Sequence, residues 1–446
     1  MRIDSIKLPN TISTIYPYAF SSFNTVVFVP SSIEHFFFID DEYFTYSWRY
    51  LYFAFEDTEY PPFELAEGEE PEPADMQVMD EHVRYDKGID PSKTVYSEEN
   101  KTFYYLEENS TSILCCFDYE STIIEIGDSF MDKPIETIRS GSFWHLDGLS
   151  TVKIGNNVSS IKKYAFSYLN LGSAFIPENV YSIGKYAFND CCGQFFVGHD
   201  VVPDGWDSNW NGGQTSNIEF GFNVSSINVR ESNGYYYFID NDKALLVAND
   251  VKFSNMVLPK SLDGIPVTGI LGGFDVDFEG RVYVPENYVS AGSNSFLSGR
   301  YGYFYFEASQ LPSGFESGWC PNGYYYVNSD MPSEQFVDDD LKMGYEKNES
   351  SITLIYYYGT SDVIYIPREI DGLPVTNIES GFITSSKGKS VYLPSSLTSI
   401  SSSAFEATSS DPWFFYFESD SGTSGYHNSS SSYNYDVNFY GYDLPY

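Results

Sequence analysis

Residues Ile176–Phe188 read Ile-Pro-Glu-Asn-Val-Tyr-Ser-Ile-Gly-Lys-Tyr-Ala-Phe, and the chain returns to this pattern several times. Its elements are an aliphatic residue, Pro or Gly, two further aliphatic residues at spacings of about three, and a final Ala-Phe pair. Gly155 and Pro177 lie 22 residues apart, and Pro9 and Pro30 lie 21 apart, so each copy has the length of one solenoid coil. Further copies begin at Leu8-Pro9, Ile154-Gly155, Val284-Pro285 and Leu393-Pro394.

A single copy cannot bury its own apolar residues. The aliphatic positions and the Ala-Phe pair point to one side of a coil, and only the coils before and after it can cover them. Val282-Tyr-Val284 and Val391-Tyr-Leu393 precede a proline, and their composition predicts a short strand that the proline ends. We therefore predict a β-rich solenoid with a core built from one phenylalanine per coil.

Two motifs identify a family. Glu178–Phe188, followed by Asn189-Asp190-Cys191, resembles the repeat unit of BspA-type leucine-rich repeats. Asp263–Ile270 and Asp371–Ile378 share a second family form, Asp-Gly-x-Pro-Val-Thr-x-Ile. The resemblance touches most of the chain except about residues 64 to 100 and 329 to 342. It implies a right-handed leucine-rich-repeat solenoid of short parallel strands with short helical or 3-10 turns, used for adhesion or partner recognition, and it implies no catalytic residues.

A larger repeat contains the small one. Pro259–Phe274 aligns with Pro367–Phe382 at an offset of 108, so coils and a characteristic ending recur together as a module. The segment 64–101 is rich in Glu and Pro, and few apolar residues there can offset the entropy cost of ordering. We predict leucine-rich-repeat modules over residues 1–63, 102–226, 234–328 and 342–446, with an acidic linker or insertion over 64–101.

Two of the modules open with paired strand-like segments. Tyr235–Asp240 is followed by Ala244–Val247, and Met343–Tyr345 is followed by Ile352–Tyr358, each pair across a polar turn. We predict that these are small β-hairpin caps, which cover the open edge of a coil stack between modules.

The charge is strongly acidic, with 63 acidic against 24 basic residues and a net charge of -39. Such a field repels phosphate, so it disfavours nucleic acids and anionic membranes as partners. Partners are expected to be basic, neutral or sugar-like. The alternative is that the acidity only keeps an aromatic-rich protein soluble, and we favour it over a dedicated electrostatic docking role. The 40 tyrosines and 36 phenylalanines suggest tyrosine-covered strand faces over a phenylalanine core.

The N-terminus starts directly inside a repeat and shows no signal-peptide pattern. Because a solenoid needs a capped first coil, the first module is expected to be truncated at its start or to begin with a bare end. No apolar run is long enough for a transmembrane helix, so membrane insertion is not expected. The family resemblance still implies an extracellular or cell-surface location. Five cysteines, Cys320 and two adjacent pairs, support neither a disulfide framework nor a zinc site.

Motifs for catalysis are missing from the sequence. It has no G-x-S-x-G, phosphate loop, dinucleotide fingerprint or H-E-x-x-H, so we predict a non-enzymatic protein without a cofactor. Asp275–Glu286 has acidic residues at calcium-loop spacing. Val282, Val284 and Pro285 within it are also repeat positions, no helices are expected on either side, and the sister segment Thr384–Ser395 has no acids, so we predict no metal site. With so many acids, some carboxylate pair always has glycosidase spacing, and that spacing is uninformative.

Two binding hypotheses remain. The first is an adhesion or protein-interaction solenoid that presents an extended repeat surface with aromatic anchors to a protein partner. The second is a carbohydrate-binding module with exposed aromatic platforms for a surface glycan. Against both stands the interpretation, which we favour, that the aromatic endings are structural caps, because they recur at fixed places in every module. The candidate ligand contacts in these endings are Trp206, Trp210, Phe315, Trp319 and Tyr426.

Overall fold

In the computed structural model, the chain forms two compact units. The first contains Met1–Asn228 with Leu271–Phe274 and Ser293–Leu297, and the second contains Val229–Ile270, Asp275–Gly292 and Ser298–Tyr446. The structure describes residues 4–15, 19–20, 25–38, 51–57, 63–65, 84–117, 123–144, 146, 149, 151–169, 171–213, 217–249, 255–272, 281–292, 295–296, 303–316, 318–320, 323–333, 335–338, 340–385, 389–407 and 413–418.

The described residues of the first unit form short strands and two single-turn 3-10 helices, Pro91–Lys93 and Val224–Ser226. Its strands are β1 Asp4–Lys7, β2 Thr14–Ile15, β3 Thr25–Val29, β4 His35–Phe38, β5 Leu51–Phe55, β6 Phe63–Leu65, β7 Arg84–Lys87, β8 Thr94–Ser97, β9 Thr102–Leu106, β10 Thr111–Cys116, β11 Ile123–Glu125, β12 Ser129–Phe130, β13 Lys133–Ile138, β14 Thr151–Lys153, β15 Ser160–Ile161, β16 Leu171–Ile176, β17 Ser182–Ile183, β18 Cys192–Val197 and β19 Asn217–Phe220.

The second unit is also made of short strands. They are β20 Arg230–Ser232, β21 Tyr235–Asp240, β22 Lys243–Asn249, β23 Asn255–Val257, β24 Ser261–Leu262, β25 Ile265–Ile270, β26 Arg281–Val284, β27 Ser290–Ala291, β28 Tyr303–Phe306, β29 Gly314–Phe315, β30 Tyr324–Tyr326, β31 Gln335–Asp338, β32 Met343–Lys347, β33 Ile352–Tyr357, β34 Val363–Tyr365, β35 Glu369–Ile370, β36 Leu373–Ile378, β37 Ile383–Ser385, β38 Ser390–Leu393, β39 Ser399–Ile400, β40 Phe405–Ala407 and β41 Phe414–Phe417.

Each coil contributes one strand to each of two parallel ladders. In the first unit the strands that precede Pro or Gly pair in the order β11-β14-β16-β18-β19, and the short strands pair in the order β10-β13-β15-β17. The second unit has the corresponding ladders β23-β26-β28-β30, β22-β25-β27-β29 and β34-β38-β41. The predicted solenoid of short parallel strands is confirmed.

The phenylalanines at the ends of successive coils stack on one another. The rings of Phe143 and Phe166 lie 5.0 Å apart with planes 2° from parallel, and those of Phe166 and Phe188 lie 4.9 Å apart at 15°. The backbone follows the same stack, because Phe166 N donates to the carbonyl of Ala187 at 2.7 Å and Phe143 N to that of Ala165 at 2.8 Å. All three phenylalanines are fully buried in one core cluster.

The hairpins lie at the edge of the short-strand ladders, as predicted. β21 and β22 are antiparallel, and the turn between them has positive φ at Asn241 and Asp242, as a two-residue type I′ hairpin requires. β22 then pairs in parallel with β25, and β33 pairs likewise with β36 after its hairpin with β32. The hydroxyl of Tyr237 donates to Asp263 at 2.8 Å, and that of Tyr345 donates to Asp371 at 3.3 Å. These bonds tie each hairpin to the Asp-Gly turn of the next coil.

Strands occur at both ends of the segment 64–101, which the sequence predicts to be a linker or an insertion. β7 joins the parallel ladder β1-β3-β5-β7, and β8 pairs with β9. Arg84 is buried, and its guanidinium donates to the carbonyls of Gly141 at 3.0 Å, Cys116 at 2.8 Å and Ser142 at 2.7 Å. These bonds compensate for the loss of hydration and order the end of the segment. Residues 66–83 lie outside the described residues, and the division into four modules stays a prediction.

Replacing a phenylalanine of the stack should open a cavity. We expect Phe166→Ala to lower the free energy of unfolding by about 3–5 kcal/mol, because no neighbour can fill the space of a fully buried ring. Tyr181→Ala serves as the control, since Tyr181 is 60% exposed. Denaturant unfolding followed by circular dichroism measures both, and equal losses in the two variants would contradict the stacked core.

Alkaline pH should destabilise the second unit. Burial, followed by the charge of Asp371, raises the pKa of Tyr345 to about 12, and burial raises the pKa of Tyr288 well above its ordinary value. The folded state therefore holds these protons more tightly than the unfolded state, whose tyrosines ionise near about pH 10.

Below about pH 10 we expect Tyr345 to add no pH dependence to the free energy of unfolding. Above about pH 10 that free energy should fall as the pH rises towards the pKa of Tyr345 in the folded state. Tyrosinate absorbance recorded beside circular dichroism checks this. The decline should be shallower in Tyr345→Phe, and an identical pH profile for that variant would refute the contribution of Tyr345.

Candidate interaction surface

Strand alternation gives coils of the second unit a buried inner face and a more exposed outer face. In β26, Val282 and Val284 are buried, whereas Arg281 is exposed and Tyr283 is half-buried on the other side. β28 has the same pattern, with two buried phenylalanines and two outward tyrosines. Because neighbouring strands pair in register, outward residues of successive coils lie side by side.

Outward tyrosines form a row in the ladder β23-β26-β28-β30. We call Tyr283, Tyr305 and Tyr326 the first tyrosine row. Its adjacent ring centroids are 5.0 and 5.2 Å apart, with planes 21° and 16° from parallel. Tyr303 and Tyr324 form a side pair next to it, with centroids 5.9 Å apart at 21°.

A second row lies in the ladder β34-β38-β41. The second tyrosine row consists of Tyr365, Tyr392 and Tyr416, with centroids 4.6 and 4.5 Å apart and planes 22° and 10° from parallel. Tyr365 is exposed, and the other two are half-buried. The same strand position therefore carries stacked tyrosines in both ladders.

Stacking decides which part of each ring a ligand can reach. The faces inside a row cover one another, so the rows present ring edges and hydroxyls rather than open ring faces. Such a surface combines apolar contact with hydrogen-bond donors and acceptors, and tyrosine has few side-chain rotors to immobilise on binding. It suits a protein surface better than a sugar ring, which needs a free aromatic face.

The middle tyrosine of the second row holds its proton more tightly than a free tyrosine. Burial raises the pKa of Tyr392, and the neighbouring hydroxyls of Tyr365 and Tyr416 raise it further. Tyr392 thus remains a neutral hydrogen-bond donor on a chain of net charge -39.

Trp206 and Trp210 are buried at the end of the β11–β19 coil stack. The indole N–H of Trp206 donates to the carbonyl of Val180 at 3.0 Å, and its backbone bridges to Ile183 in the short-strand ladder. Trp210 packs edge-on against Phe188, with ring centroids 5.8 Å apart. Trp206 occupies the position of the next short strand, and Trp210 that of the next stacked phenylalanine. Because both are buried, neither offers an open ring face to a ligand.

Phe315 and Trp319 are arranged similarly in the second unit. Both are buried, their centroids are 5.4 Å apart, and Trp319 also contacts Phe304 at 4.8 Å. The structure therefore brings together these two predicted residues, and separately Trp206 with Trp210 at 4.9 Å. Tyr426 lies outside the described residues.

The tyrosine rows were not among the residues selected from the sequence. Their signal is present, since a tyrosine stands between two inward residues in Val282-Tyr-Val284, Phe304-Tyr-Phe306 and Val391-Tyr-Leu393. Only parallel pairing in register shows that these tyrosines stack.

Metal and membrane features are not seen in the described part of the chain. There, no group of three or more His, Cys, Asp or Glu side chains is placed to hold a metal ion. Residues 275–280 of the calcium-spaced segment lie outside that part. No helix among the described residues is long and apolar enough to cross a membrane.

The family follows from the repeats. A model described as the BspA type leucine rich repeat region matches in six copies, over residues 1–56, 95–194 and 361–416. The chain contains BspA-type leucine-rich repeats. The BspA-type match does not include residues 195–360, yet the parallel ladder β23-β26-β28-β30 lies within that range. The coil architecture thus extends beyond the matched residues of this BspA-type chain.

Among solved structures, this BspA-type chain is similar to a leucine rich cell surface protein from Faecalibacterium prausnitzii. The identity is 16%, the match covers 71% of this chain and 74% of that one, and the TM-score is 0.22. At that TM-score the likeness supports no conclusion about function. None of the curated proteins matches the chain.

The buried tryptophan can be tested by substitution. We expect Trp206→Ala to lower the free energy of unfolding by about 3–5 kcal/mol, because it removes a buried ring and leaves the Val180 carbonyl with one donor fewer. Thermal unfolding and a glycan array on the same variant provide the measurements. Lost glycan binding with unchanged thermal stability would instead make Trp206 a ligand contact.

Proposed function

We propose that this BspA-type chain is a non-enzymatic interaction or adhesion protein, located at or secreted from a cell surface, that binds a protein partner through its tyrosine rows. The observation that supports the proposal most directly is the pair of stacked, solvent-accessible rows, Tyr283–Tyr305–Tyr326 and Tyr365–Tyr392–Tyr416. The family supports the same class of role, since BspA-type repeats are typical of surface proteins that bind other proteins.

The chemistry of the rows supports a protein partner. Tyrosine is enriched among the residues that carry binding energy in protein interfaces. A row repeats one side chain at a spacing of about 5 Å, which is the spacing of neighbouring strands. A partner can therefore contact several equivalent rings along one direction. The net charge of -39 favours a partner surface that is basic or neutral.

Carbohydrate binding is the competing function. Sugar rings stack on free aromatic faces, and within each row the faces of the middle tyrosines, Tyr305 and Tyr392, are covered on both sides. The outer rings of a row have a tyrosine neighbour on one face only. This geometry favours the protein partner.

Removing ring edges and hydroxyls together should abolish most of the binding. The test variant carries Tyr283→Ser, Tyr305→Ser and Tyr326→Ser, which removes the first tyrosine row, and the control is Tyr181→Ser, which removes an exposed tyrosine outside the rows. We expect the triple variant to bind a recovered cell-surface partner at least about thirtyfold more weakly, as the loss of a hot spot predicts, while the control binds normally.

The measurement is the dissociation constant of the purified pair, with unfolding curves to show that both variants remain folded. Treating the partner with protease should abolish binding, and treating it with glycosidases should not. Binding that survives proteolysis but not deglycosylation would replace the protein partner with a glycan, and equal affinities of the two variants would overturn the role of the rows.

A further inference from the structure

The last strand of one ladder has an unusual composition. β30 consists of Tyr324, Tyr325 and Tyr326, which are 55%, 51% and 49% exposed. The order of the sheet, β23-β26-β28-β30, ends at this strand, and no further strand among the described residues pairs with it. β30 is thus a sheet edge made entirely of half-exposed, uncharged aromatic residues.

Two of the other strands that end a ladder carry charge, whereas β29 and β41 do not. β7 carries Asp86, which pairs with Arg139 at 3.1 Å, and β19 carries the exposed carboxylate of Glu219. Charged side chains at a sheet edge are a common protection against pairing with another chain. β30 has no such protection.

The backbone of β30 points in a defined direction. In a parallel ladder, successive residues direct their N–H and C=O alternately to the two neighbouring strands. Glu307 N donates back to the Val284 carbonyl at 3.0 Å, so Phe304 and Phe306 face β30. The register pairs Phe304 with Tyr325, which means that Tyr324 and Tyr326 bond to β28. The N–H and C=O of Tyr325 consequently point away from the sheet.

The side chains of β30 also favour an added strand at this edge. The first tyrosine row and the side pair both end on β30, at Tyr326 and Tyr324, so each ends with one ring face not covered by a further tyrosine of its row. A strand added at this edge would place alternate side chains over those two faces. Aromatic side chains would continue both stacks at the existing spacing.

We propose that β30 is a strand-addition site, at which an extended segment of a protein partner pairs with Tyr325 and places aromatic side chains over Tyr324 and Tyr326. This is the mode in which main-chain hydrogen bonds give affinity and alternate side chains give specificity. The proposal rests on the proposed protein-binding function and specifies how the partner attaches. A net charge of -39 favours a segment flanked by basic residues.

The chain itself supplies a probe. A synthetic peptide copies Tyr303–Phe306, the strand that already pairs with β30, with lysines at both ends. Its control carries N-methyl groups on the alternate residues that would face β30. It therefore has the same side chains but cannot donate to the Tyr325 carbonyl. We expect saturable binding of the first peptide to the full chain, with hydrogen-exchange protection at the Tyr325 amide. The N-methylated peptide should bind at least about tenfold more weakly.

Two variants separate the edge from the rings. Tyr325→Pro removes the outward N–H without removing a bond to β28, and Tyr325→Ser removes the ring but keeps that N–H. We expect the proline variant to bind the peptide about tenfold more weakly than the serine variant, because it leaves a carbonyl of the peptide unpaired. Unfolding curves measured on both variants check that they are folded.

Three results would overturn strand addition: equal binding of the two peptides, equal binding by the two variants, or unchanged exchange at Tyr325. The proposed function fails on a different observation. If the row variants lose the cell-surface partner while Tyr325→Pro binds it normally, the protein-binding function stands and attachment at the strand edge does not.

Discussion

No coil of this chain can bury its own apolar side, and that constraint determines the rest of the structure. A coil offers two short strands and one turn that ends in phenylalanine, and these find their backbone partners in the coils before and after it. Stability of such a stack comes from contacts between neighbours rather than from any single repeat. The stack must therefore be closed at its ends, which in the first unit involves the hairpin strands before β10 and Trp206 and Trp210 after β17.

The core could be predicted from the sequence because its pattern is periodic. Phe166 and Phe188 stand at the same place in successive repeats, and identical positions in adjacent coils must meet. The hairpins were predictable for a similar reason, since alternation and a polar turn such as Asn241-Asp242 are local signals. Family resemblance strengthened both predictions.

Other features depend on geometry that no pattern contains. Trp206 follows a glycine and a proline, and the sequence does not determine whether its ring turns inward or outward. The ring turns inward, where the Val180 carbonyl accepts the indole N–H of Trp206. Arg84 was missed for a different reason, because composition counts an arginine as a surface residue. Three carbonyls from distant segments make its burial possible, and only the folded chain brings them together.

Val282 and Tyr283 alternate along β26, so the buried valine stabilises the coil and the outward tyrosine is accessible to a binding partner. Inward positions tolerate little change, since neighbouring coils fill the same space. Outward positions such as Tyr283 and Tyr392 belong to no such packed interior, so they can vary at a small cost in folding. Duplicated repeats can therefore diverge in recognition while they share one architecture, which provides a route to new specificities within a lineage.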